Sequence, residues 1–149
     1  MDDLRKEFDD LMKKDDNDCA DGSCETQKPE EEEYPDYVIE LSTKMLVPER
    51  CGVYFSKKDF REMGLASGLS ISLKQRIRMV TDLLKSIFNY DDMVKIFGIM
   101  NILVDNRIAT YEELATTFPH TKEYFDVHTK KAKKFKKDLT RILADSKES

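Results

Sequence analysis

The chain has 149 residues, of which 40% are apolar and 37% charged, with a formal net charge of −5 and no Trp. That length suits about one domain with a single core. No run approaches the roughly 20 consecutive apolar residues of a membrane-spanning helix, and the opening MDDLRKEFDD lacks the positive start and apolar stretch of a secretory signal, so no membrane partner and a cytoplasmic location are expected.

Charge is distributed unevenly. Residues 1–40 hold sixteen acidic and five basic side chains, a balance of −11, whereas residues 41–149 hold fourteen acidic and twenty basic, a balance of +6. The pattern divides the chain into an acidic extension, residues 1–33, and a mildly basic helical domain, residues 34–149.

Residues 2–14 predict a short helix with Leu4, Phe8, Leu11 and Met12 on one face. So short a helix is marginal alone and needs something to dock against, which makes these four residues candidates for partner binding, with packing back onto the chain's own domain as the equal alternative. DDNDCADGSCETQKPEEEE, from Asp15 to Glu33, has no apolar periodicity and reads as a mobile linker. In YPDYVIELSTKML, Pro35 suits a helix start and Pro48 its stop.

Ser56 and Asp59 have capping-box spacing, and Gly64 suits the end of the helix they begin. Val53–Tyr54–Phe55 suits a short extended piece, but no partner strand is in view. Ser72 and Gln75 again have capping-box spacing and open the clearest amphipathic pattern, Leu73, Ile77, Val80, Leu84 and Ile87. From Met93 to Val104 nine of twelve residues are apolar, too many for one face. This predicts a central buried helix over Asp91 to Val104, with Gly98 admitting a close neighbour. After DNR, Thr110 and Glu113 predict a new helix closed by Pro119. The last helix, Thr121 to about Ala144, carries a seam of Phe125, His128, Ala132, Phe135, Leu139 and Ile142.

Between His128 and Arg141 there are seven basic side chains and one acidic one. On a helical wheel the lysines fall opposite the apolar seam, where a solvated surface is the expected role. The alternative is a phosphate-binding face using Lys122, Lys130, Lys133, Lys134, Lys136 and Lys137. A degenerate helix-turn-helix over residues 110–128, with Leu114 and Ala115 where that motif wants an apolar and a small residue, would go with it. Pro119 and His120 in the turn, and Glu123 and Asp126 facing the phosphates, fit that pattern poorly.

Cys19, Cys24 and Cys51 are read as reduced thiols without an assigned redox or metal role. One C-x4-C pair lacks the second pair a zinc knuckle needs, and acidic neighbours oppose thiolate formation. His128 reads as a structural residue of the seam and His120 as a turn residue. No metal, cofactor or catalytic constellation is expected.

The expectation is an all-α, compact bundle of about five helices from residue 34 onward, preceded by a mobile acidic N-terminal extension carrying one short amphipathic helix. The expected function is that of a small non-enzymatic cytoplasmic adaptor or regulatory protein acting by protein–protein interaction. A nucleic-acid-associated regulator is the alternative.

Overall fold

The computed structural model describes residues 2–16 and 34–147. Among these the fold is all-α, with seven helices, one 3-10 turn and no strand. Most of the segment read as a linker, with Cys19 and Cys24, lies outside the described residues. The helices are α1 (Asp2–Asp16), α2 (Asp36–Met45), α3 (Pro48–Cys51), α4 (Lys57–Ala66), α5 (Arg76–Lys85), α6 (Tyr90–Thr117) and α7 (Lys122–Lys147). Six of them follow residue 34, one more than expected.

The apolar stripes of α2, α5, the first half of α6 and the second half of α7 meet in one core. Val38, Leu41, Met45, Val80, Leu84, Phe97, Val104, Phe135 and Leu139 are buried in it. The segment between α3 and α4 threads into the same core: Val53 and Phe55 point inward, Tyr54 outward, the alternation of extended backbone. Phe55 lies 6.0 Å from Phe60 and 6.1 Å from Phe135, ring centre to ring centre.

Local chemistry explains where the helices begin and end, and where sequence pattern misleads. The reciprocal cap at α4 forms: Asp59 N donates to Ser56 Oγ at 3.1 Å, and Ser56 N to Asp59 Oδ2 at 2.9 Å. Gly64 does not end that helix. It sits inside α4 because a Cβ there would come within 2.7 Å of the Ile71 side chain, and the chain leaves α4 through Gly68 at φ +83°.

The expected cap at Ser72 is not used, and α5 starts at Arg76. Ile71 must first turn inward against Gly64, which leaves Leu73 69% exposed. Arg76 Nε then donates to Phe55 O at 2.8 Å, tying the start of α5 to the extended segment.

No break occurs at DNR. Residues expected to form two helices make one α6 of 28 residues, about 42 Å long at 1.5 Å per residue. Neither Gly nor Pro occurs from Ile99 to Thr117, and charged groups near the expected break are held by partners on other elements. Arg107 Nη2 lies 3.1 Å from Asp59 Oδ1, and Asp105 pairs with Lys136. Thr110 Oγ1 donates to Asn106 O at 3.0 Å, one turn back, and so is not a cap. Gly98 receives no crossing neighbour: nothing lies within 4 Å of where its Cβ would be.

α6 and α7 form an antiparallel hairpin through Pro119–Thr121. Tyr111 stacks on Phe125 near the turn, and Asp105 meets Lys136 farther down. Helices of a helix-turn-helix cross steeply; these lie side by side, which removes that motif from the stretch over Thr110–His128. Within α6 no residue beyond Ile108 is buried, and within α7 none before Ala132. Beyond Tyr111 and His128 the tip of the hairpin therefore stands clear of the core, with Tyr111, Tyr124, Phe125 and His128 packed together where it leaves the body.

Candidate functional site

The α1 stripe is occupied within the chain. Phe8 is 1% exposed and meets Tyr34 edge-on at 5.0 Å, while Leu4, Leu11 and Met12 are partly buried against the same core. Of the two roles weighed for this face, the structure places it in the second, packed back on the body. Two exposed ion pairs flank it, Arg5 with Asp36 and Glu7 with Arg50, at 2.9 and 2.8 Å.

Beside Leu11 runs an open groove of about 540 Å³ lined by Glu7, Leu46, Val47, Lys57, Gln75, Arg76 and Ile77. The Arg76 guanidinium does not serve it. It lies 4.5 Å from the centre of the Tyr54 ring, and its Nη2 is buried without a hydrogen-bond partner.

The lysine set divides in two. Lys136 is turned toward α6 and paired with Asp105, while on its flank α7 also exchanges charges with α2: Lys44 with Asp138 at 2.9 Å and Arg141 with Glu40 at 2.6 Å. Lys130, Lys133, Lys134 and Lys137 are exposed, and among the described residues no ion pair engages them. Lys122 is exposed too, but Glu123 and Asp126 stand between it and that row. The four unpaired lysines are the part of the sequence-derived set that the fold gathers on one open face.

Of the cysteine and histidine candidates, Cys51 and His128 take structural positions. Cys51 is buried, its Sγ donating to Val53 O at 3.0 Å, and burial raises its thiol pKa above the ordinary range, which disfavours the nucleophilic thiolate. His128 Nδ1 donates to Tyr124 O at 3.1 Å and its ring lies edge-on to Tyr111. His120 is exposed in the turn beside Phe118. No group of three or more His, Cys, Asp or Glu suited to a metal ion occurs among the described residues.

One surface was not anticipated. Tyr90, Val94 and Ile102 are 38%, 44% and 63% exposed. With Gly98 they fall at four-residue intervals, one ridge of the α6 surface. Phe88, just before α6, is 88% exposed. Lys95 Nζ reaches Ser67 O at 3.4 Å, which sets the end of α4, with exposed Leu65, on one flank.

The signal for this ridge was present in the excess of apolar residues over Met93 to Val104. Met93, Ile96, Phe97, Met100 and Val104 fill the inward face. A helix with only one buried face must show the surplus to solvent.

No family model matches the chain, and no curated protein and no solved structure matches it.

Proposed function

We propose that the protein is a non-enzymatic adaptor or regulatory module that acts by binding another protein, and that the contact is made by the outer ridge of α6. The single observation carrying this reading is the row Tyr90, Val94 and Ile102 on α6, with exposed Phe88 just before it, left uncovered by the other described residues. Aromatic and aliphatic side chains held on a rigid element are what interface centres are built from. Gly98, open above its Cα, gives the row a notch into which a partner's side chain or helix backbone fits closely. The α1 stripe is spent on the body, whereas the α6 ridge stays exposed.

A photo-crosslinking residue placed at Ile102 tests this in cells, with the same residue at exposed Glu62 on α4 as the control. A discrete adduct at position 102 that disappears on Val94→Glu, with the circular dichroism spectrum unchanged, supports the reading. Indistinguishable labelling at the two positions defeats it.

A further inference from the structure

We propose that the outer face of α7 is a second binding surface, independent of the α6 ridge, and that its ligand is the phosphate backbone of duplex nucleic acid bound without base readout. Lys130, Lys133, Lys134 and Lys137 are exposed and unpaired among the described residues, and they cover about 10 Å of helix. The acids that would otherwise neutralise this part of α7 are engaged at its flanks, Asp105 by Lys136, Glu40 by Arg141 and Asp138 by Lys44.

The composition of the face selects the ligand. From Lys130 to Arg141 its exposed residues are Lys130, Lys133, Lys134, Lys137, Thr140 and Arg141, because Ala132, Phe135 and Leu139 are turned into the core. A protein interface needs apolar or aromatic anchors at its centre, and a membrane surface needs an apolar strip to bury between headgroups. This face offers neither. What remains is attraction to a dense row of charge, and a duplex, with one phosphate per about 1.7 Å of axis, sets roughly six against the four lysines.

Glu123 and Asp126 bound the surface at the N-terminal end of α7. The footprint is thereby limited to four contacts and excludes Lys122.

Fluorescence anisotropy of the full chain with a labelled duplex of about 20 base pairs and arbitrary sequence tests this across a salt series. Four phosphate contacts set a limiting log–log slope of about −3.6, moderated by the acidic first forty residues. A roughly 15- to 150-fold loss of affinity is expected between about 50 and 200 mM salt. Changing all four lysines to Gln removes binding, Lys133→Gln alone lowers the slope by about 0.9, and Lys122→Gln leaves it unchanged. The proposal is overturned by absence of binding at the lowest salt, by a slope indifferent to the fourfold change, or by tighter binding to phosphatidylserine vesicles or polyglutamate than to the duplex. Each result is read apart from the α6 crosslink, because none of these substitutions lies on α6.

Discussion

Two segments are fastened to the body of this molecule in different ways. Between α3 and α4 the chain is gripped at its backbone. Gly52 caps α3 at φ +77°, and a Cβ there would sit 2.5 Å from Ala132 N and closer still to the His128 carbonyl. Tyr111 Oη donates to Gly52 O at 2.7 Å, and Asp59, which caps α4, pairs with Arg107 on α6. Among the described residues α1 is held by side chains, one deep anchor at Phe8 with three shallower ones and exposed ion pairs. Backbone-level contact makes the first segment part of the cooperative unit. Side-chain contact leaves α1 free to open on its own.

The largest effect should come from Gly52→Ala. Left-handed backbone at a non-glycine residue and the collision with the α7 backbone together cost about 3–5 kcal/mol, a fall in Tm of roughly 10 °C for a chain of this size. A melt like that of the parent chain would mean that α7 can shift away and that the grip is looser than described.

Phe8→Ala should cost a comparable amount, about 3 kcal/mol for a phenylalanine in a core, but the loss should stay local. Amides of α1 should exchange roughly 100-fold faster while those of α6 keep their protection. If protection falls equally in both, α1 belongs to the cooperative unit and the contrast fails.

Alkaline pH probes the gripped segment, together with Tyr37 on α2, whose phenol pKa burial also raises. Burial raises the pKa of the Cys51 thiol and of the Tyr111 phenol. Each is neutral when protonated and the folded state holds the proton more tightly than the unfolded. Its contribution is whole below the ordinary thiol and phenol ranges and is lost as pH rises through the raised values. Stability should therefore decline on the alkaline side, and Tyr111→Phe should flatten that decline in a series of denaturant melts. An unaltered pH profile in the variant removes Tyr111 from the account.

The smallest effect is expected at Arg5→Ala. Its pair with Asp36 is exposed on both sides, and such pairs contribute about 0–1 kcal/mol, less at high salt. A loss above that range, measured by exchange in α1, would show that the helix depends on its charges as well as on Phe8.

The all-α character, the α4 cap and the α7 seam were legible because each rests on local pattern. Ala132, Phe135, Leu139 and Ile142 are buried as their spacing predicts. The failures share a different cause, since each involves a partner distant in sequence. Gly64 is kept by Ile71, the continuity of α6 is supported by Asp59 and Lys136, and the cap at Ser72 gives way to the turn that buries Ile71.

Of the candidate surfaces, four lysines could be picked out by their position opposite the seam. Excluding Lys136 required knowing where Asp105 lies. The α6 ridge was masked because apolar residues on both faces cancel any periodic signal, so a helix that is half exposed reads as one wholly enclosed.

The clear tip of the α6–α7 hairpin carries a mechanical consequence. Two parallel rods leave the body together, cross-braced by Tyr111 on Phe125 and by Tyr124 on His128, and every internal backbone bond along them resists bending. A load applied at Phe118 or Tyr124 therefore reaches the body first at Gly52, whose carbonyl accepts from Tyr111 Oη and whose Cα lies against the α7 backbone at His128 and Ala132. The hairpin is a lever whose fulcrum is the body of the protein.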